Sequence, residues 1–414
     1  MPMKSWLALG WLAALACSPP APGLSTTGTN VAPGPCGRGL IVLESDYQSS
    51  NVALLGFDGS VLSASFARSS VRAGGYGVSL SGDVVAPRSA LPGAELVLID
   101  RTPSGVLYFI DVVSAQPSFD LNVDTGFRSN PHDYLALSPN KAYVTRYDAN
   151  PEPGREPWDA GSDILIIDLA ARAPTGRIDL SAALSGEDPK YLPHPDRMLA
   201  LGGRVFVLLS AYASDYSSSA ESRLVELDPG TDQIASTLVL TGLYGCDALA
   251  LAPNAAELAV ACTGDQLAQL PPGPDGSGLV TIDVTGSPRE KSRFPAKSLG
   301  DAPLGFGLDY VADGVVLLST LGYFDANGQP ALSDSLFRLD LSASSAQSLR
   351  VSSPFSLGDV RCAPACGACF VTDASESSGS VVRYPITGAG ALGVAQSITP
   401  ETSIGLPARY LGAF

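Results

Sequence analysis

One pattern recurs along nearly the whole chain: a short apolar alternation that ends in a turn residue, followed by a polar turn and a second alternation. It appears as VALLGFD at Asp58, VLYFIDV at Asp111, ILIIDL at Asp168, LVELDP at Asp228, LVTIDV at Asp283, LFRLDL at Asp340 and VVRYPI at Pro385. The successive spacings are 53, 57, 60, 55, 57 and 45 residues, a period that belongs to repeat architectures. Period-two apolar runs joined by Asp, Gly, Asn or Pro are hairpin signals, so each copy reads as the outer hairpin of a four-stranded unit. An inner hairpin precedes most copies, as in DYLALSPNKAYVTRY from Asp133, DRMLALGGRVFVLL from Asp196 and DALALAPNAAELAVA from Asp247.

Seven copies of four strands predict an all-β fold: a seven-bladed β-propeller with four-stranded antiparallel blades over residues 37–414, or 54 residues per blade. The 43 Gly and 33 Pro suit many short strands and exclude a helical bundle. The first repeat starts at Leu40 with no inner strand before it, while the chain ends in a surplus run, Ile404 to Phe414. Lending that run to the first blade would close the ring and remove an open sheet edge.

The segment PHDYLALSPNKAYVTR (Pro131 to Arg146) resembles the repeat of YVTN-type bacterial β-propellers, with Tyr143-Val144-Thr145 in place and Arg146 where that motif has Asn. CFVTD around Phe370 is a weaker echo. The resemblance implies the propeller fold and says little about activity, because propellers carry binding proteins, lyases and lactonases alike.

Lys4 followed by the apolar run Trp6 to Ala16 reads as a secretory signal over residues 1–16, too short at 11 apolar residues to span a bilayer as a mature helix. Ala14-Leu15-Ala16-Cys17 resembles a bacterial lipobox, which implies cleavage before Cys17 and its lipidation. By the same resemblance, Ser18 rather than Asp implies sorting to the outer membrane. Residues 17–36 read as a flexible tether, so the expected setting is the cell envelope, with membrane contact through the lipid alone.

Six cysteines remain, an even number that favours disulfides in an exported chain. Cys246 and Cys262 face each other across one inner hairpin, and Cys362 and Cys369 lie on adjacent strands of the last blade. This leaves Cys366 or one of its neighbours for Cys36 at the ring seam.

A net charge of −16 argues against nucleic acid and against an anionic membrane face, and makes any charged partner cationic. Six blades begin their inner strand with an aspartate: Asp83, Asp133, Asp196, Asp247, Asp309 and Asp359. Such a ring would attract cations and could hold Ca²⁺ at the channel mouth, although Asp at a strand start commonly just accepts main-chain N–H groups. His132 and His194, the only histidines, hold matching positions just before that ring and are the candidate bases of a metal-assisted lyase or hydrolase. No G-x-S-x-G elbow, Walker loop or HExxH motif is present. The loops joining second and third strands carry Trp158, Tyr216 and Tyr323 among carboxylates on the same face. The reading that follows is a monomeric, non-enzymatic binding or scaffolding module that recognises a periplasmic or surface protein, peptide or glycan.

Overall fold

In a computed structural model, the structure describes residues 26–70, 79–91, 93–265, 272–375 and 380–414. The signal segment and Cys17 therefore lie outside the described residues. Seven four-stranded antiparallel sheets form a ring of blades, with three short 3₁₀ turns as the only helical elements among the described residues. Blades 2 to 7 begin their inner strands at Val84, Pro131, Pro195, Cys246, Leu304 and Leu357.

The recurring aspartate has a local cause. In six blades it closes the outer turn by accepting a main-chain N–H two or three residues on, at 2.8 to 3.0 Å: Asp58 from Ser60, Asp111 from Ser114, Asp168 from Ala171, Asp228 from Gly230, Asp283 from Thr285 and Asp340 from Ser342. A short carboxylate that satisfies its own turn is what a hairpin of this kind selects.

Apolar clusters fill the spaces between successive blades. Leu135, Tyr143, Val205 and Val207 pack between blades 3 and 4, and Ala248, Ala259, Tyr310 and Val316 between blades 5 and 6. Both faces of each inner sheet are therefore buried, which explains the unbroken apolar runs there.

The C-terminal strand closes the ring. Ala408–Ala413 pairs antiparallel with Leu40–Ser45, matching Leu40 with Ala413 and Val42 with Leu411, and becomes the inner strand of blade 1. The strand is shorter than the run Ile404 to Phe414, because residues 404–407 lie in a bend and an irregular stretch that lead into it. All three disulfides form: Cys246–Cys262 and Cys362–Cys369 across paired strands, and Cys36–Cys366 across the seam with Cα atoms 6.3 Å apart.

One expectation is corrected. The part of the tether within the described residues does not run free: Thr27 N–H bonds the Ser65 carbonyl at 3.0 Å and Thr29 N–H bonds the Val112 carbonyl at 2.8 Å. It lies across the rims of blades 1 and 2, where a Cβ at Gly28 would meet the Val113 carbonyl oxygen at 2.0 Å. Only a glycine fits that approach.

Candidate functional site

Inner-strand starts and second-to-third-strand loops emerge on one face, and the six aspartates there divide into distinct roles. Asp133 is buried and accepts N–H bonds from Tyr134 at 2.9 Å and, on the next blade, from Met198 at 2.8 Å. Asp309 takes Tyr310 and Cys362 at 2.9 Å each, and Asp359 takes Leu411 at 3.0 Å. These three carboxylates stitch each blade to its successor. The hydroxyls of the resemblance motif do the same: Thr145 donates to the Asp196 carbonyl and Thr372 to the Arg409 carbonyl, each at 2.9 Å. Arg146, where the motif has Asn, forms a buried two-pronged pair with Asp163 at 2.8 and 2.7 Å.

The remaining three aspartates sit among arginines. Asp83 pairs with Arg101, whose Nε is 3.0 Å away, and Asp196 lies 3.2 Å from His132 Nδ1 and 3.6 Å from Arg197. Burial raises the Asp196 carboxyl, but His132, Arg197 and Arg101 outweigh it and hold it below the usual range. Asp247 has no such partner: burial and the nearby Asp196 push it well up, and its Oδ1 is buried without a hydrogen bond. Arg88 reaches across the channel from blade 2 to the carbonyls of Leu308 and Val360, at 2.9 and 3.0 Å, and to Asp309 at 3.4 Å. Arg361, on the blade 7 inner strand, is pulled down to about 10 by burial and Arg88 and stays cationic at neutral pH.

The channel is thus a balanced network of both signs, not an acidic funnel. Among the described residues no three His, Cys, Asp or Glu side chains are placed to hold a metal ion. The four arginines were missed in the sequence. For Arg197 and Arg361 the signal was an Arg one or two places after the aspartate, in Asp196-Arg197 and Asp359-Val360-Arg361, inside otherwise apolar strands; Arg88 and Arg101 carried no such signal.

The two histidines are separated by a tyrosine ring. His132 stacks on Tyr147 with ring centres 4.1 Å apart, and Tyr147 separates it from His194, at 4.7 Å. His194 is 2% exposed with neither ring nitrogen hydrogen-bonded, and burial pulls its pKa down to about 4. It is a neutral core ring among Tyr147, Tyr212 and Tyr216. His132 remains at the wall of a channel-mouth cavity of about 280 Å³, with Asp196, Arg197 and Tyr410.

The three expected aromatic anchors are dispersed. Tyr216 is half-buried and donates to Asp148 at 2.6 Å, and Tyr323 is half-buried at the foot of a small hairpin. Trp158 is exposed, and its carbonyl accepts from Arg146 at 2.6 Å. The exposed aromatic area gathers elsewhere, in a groove of about 500 Å³ between blades 6, 7 and 1. Tyr47, Phe306, Phe324 and Phe355 line it, exposed by 44 to 56%, with Phe324 and Phe355 stacked at 6.3 Å. Phe306, Asp359 and Tyr410 belong to both this groove and the channel-mouth cavity.

Local chemistry builds this groove. Phe306 projects because Gly305 and Gly307 flank it, and a Cβ at Gly307 would meet Val360 at 2.7 Å and the Gly358 carbonyl at 2.8 Å. Gly-Phe-Gly inside a strand pattern was the available signal. The buried Asp334 carboxylate accepts main-chain N–H bonds from Gly322 at 2.7 Å, Phe355 at 3.2 Å, Ser356 at 2.8 Å and Leu357 at 2.9 Å, tying the hairpin to the Phe355 loop. Phe355 has left-handed backbone, φ 58°, which the Asp334 contacts hold in place, and Tyr47, φ 66°, donates its N–H to Ser45 Oγ at 2.8 Å.

No family model matches the chain, and no curated protein matches it. Solved structures do. A hypothetical selenium-binding protein from Sulfolobus tokodaii is 12% identical with TM-score 0.57, covering 90% of this chain and 92% of its own. A protein from Lactobacillus plantarum is 12% identical with TM-score 0.54, covering 90% and 98%. The periplasmic gluconolactonase of Pseudomonas aeruginosa is 12% identical with TM-score 0.50, covering 90% and 98%. At these identities the likeness is one of fold.

Proposed function

We propose that this propeller is a cell-envelope lipoprotein, anchored through Cys17, that works as a binding module with its site in the groove between blades 6, 7 and 1. One observation carries the reading: four of the five exposed aromatic side chains among the described residues line that single groove. Aromatic area that folding leaves in water, held on a stitched scaffold, is the usual material of a recognition site. The disulfides agree with an oxidising compartment.

The rival reading, a lyase or hydrolase at the channel mouth, needs two accessible imidazoles, and His194 is sealed in the core. A panel of envelope glycans, peptides and small metabolites presented to the disulfide-intact protein tests the proposal. Phe355→Ala and Phe324→Ala should each weaken whatever binds by about 1–3 kcal/mol with little change in melting temperature. Unchanged binding in both variants, together with a turnover activity lost in His132→Ala, would transfer the function to the channel mouth.

A further inference from the structure

The groove's aromatic walls say that its ligand is apolar; its charges say more. Four carboxylates lie around it, and each is engaged by main-chain donors. Asp46 accepts from Gln48 and Ser49 at 2.9 and 2.7 Å, and Asp325 accepts from Asn327 and Gln329 at 2.8 Å each. Asp334 is occupied by the four N–H groups already described, and Asp359 by Leu411. Asp359 also faces the channel cations Arg197 and Arg361.

Arg409 is the one cation lining the groove among the described residues. It stands at the start of the closing strand, half-buried in the groove wall, with its guanidinium 5.3 Å from the centre of the Tyr47 ring. Its Nε donates to the Ser45 carbonyl at 3.3 Å and its Nη1 to the Phe355 carbonyl at 2.9 Å. Its Nη2 has no acceptor among the described residues, and no carboxylate among them comes within ion-pair distance of it. Two main-chain bonds and the Tyr47 ring hold the planar fork in place, so its free edge is presented without further ordering.

We infer that the groove takes a small apolar carboxylate, its acid group on Arg409 and its hydrocarbon or aryl body between Phe306, Phe324 and Phe355. The inference rests on the groove being the binding site. It reverses the sign that the net charge of −16 suggests, because among the described residues Arg409 is the only cation lining the groove and keeps a free N–H edge, while the carboxylates around it already accept main-chain N–H groups. A guanidinium with a free N–H edge at the rim of an aromatic wall matches a carboxylate in geometry as well as charge. The volume, about 500 Å³, is of the size that holds one small molecule.

Titration calorimetry with the disulfide-intact protein and three probes of one shape tests this: 2-naphthylacetate, 2-naphthylacetamide and 2-naphthylmethylammonium. The acetate should bind about tenfold or more tighter than the amide, with the ammonium weakest. Arg409→Met should erase the difference between acetate and amide, Arg409→Lys should keep part of it, and Phe355→Ala should weaken all three probes together. The parent comparison decides the sign even if an Arg409 variant loosens the closing strand. Equal binding of acetate and amide, or tightest binding of the ammonium, overturns the carboxylate inference while leaving the groove as the site. A peptide with a C-terminal Leu that outbinds naphthylacetate overturns the small-molecule assignment. If no probe binds below about 10 mM, the inference falls, and the Phe355→Ala panel result shows separately whether the binding-site proposal falls with it.

Discussion

Deleting residues 408–414 removes the inner strand of blade 1 yet leaves the Cys36–Cys366 bridge in place, so the chain ends remain tied while the sheet edge opens. The loss can be worked from what the strand buries. Leu411 and Phe414 are 1% and 2% exposed, packing respectively against the blade 7 side, with Phe370, and the blade 2 side, with Val84 and Ala86. Burying two such side chains contributes roughly 1.5–3 kcal/mol each. Asp359 would lose the Leu411 N–H and Thr372 the Arg409 carbonyl, and the Leu40–Ser45 strand would lose its ladder; stranded groups cost about 1–3 kcal/mol apiece. The total, on the order of 8 kcal/mol or more, is comparable with the whole stability of an ordinary domain, about 5–15 kcal/mol. Circular dichroism under non-reducing conditions should therefore show no cooperative melt. Phe414→Ala alone should keep a cooperative transition and lose about 3–4 kcal/mol by urea titration. A truncated chain that melts cooperatively at the parent temperature would refute the closure by this strand.

Three further outcomes follow from two buried groups and the seam bridge. Burial, opposed by an Asn51 hydrogen bond and helped by the nearby Glu401 charge, pushes the Glu44 carboxyl up from 4.5 to about 8. A raised acid favours the folded state only while protonated, so its contribution is full below pH 4.5 and is lost as pH rises through about 8. Glu44→Gln should thus match the parent near pH 4 and exceed it by on the order of 2–4 kcal/mol near pH 9; equal gains at both pH values in urea titrations would contradict this. His194→Phe should hold or raise the melting temperature, since both ring nitrogens lack partners, and a loss above about 2 kcal/mol would show that the imidazole has a hidden partner. Cys36→Ser with Cys366→Ser should lower stability by about 2–4 kcal/mol without changing far-ultraviolet circular dichroism, and an unchanged urea midpoint would count against a structural role for the seam bridge.

The architecture was legible because its causes are local and repeated. An Asp that caps its own turn recurs in six blades and period-two apolar runs recur in all, and each is settled by residues close in sequence. Cys246–Cys262 was legible for the same reason, since strand register places Cys246 opposite Cys262, and Cys362 falls likewise opposite Cys369, whereas the partner of Cys36 stayed open between Cys366 and its neighbours. Even the closing strand could be inferred from an imbalance between the chain ends.

The site could not be read this way, because its residues meet only when the ring closes. Tyr47 comes from blade 1, Phe306 and Phe324 from blade 6, Phe355 from the approach to blade 7 and Arg409 from the closing strand, and no sequence spacing connects them. The aspartate ring looked acidic because a pattern in one blade cannot show that Arg88 crosses from blade 2 to bond main-chain carbonyls of blades 6 and 7. Likewise His132 and His194 matched in sequence but differ in setting, one against Asp196 at a cavity wall and the other sealed among tyrosines. Strand formation and turn capping are decided by near neighbours, whereas burial, ion pairing and exposure depend on what the other blades bring to the same face; only the tertiary structure decided those.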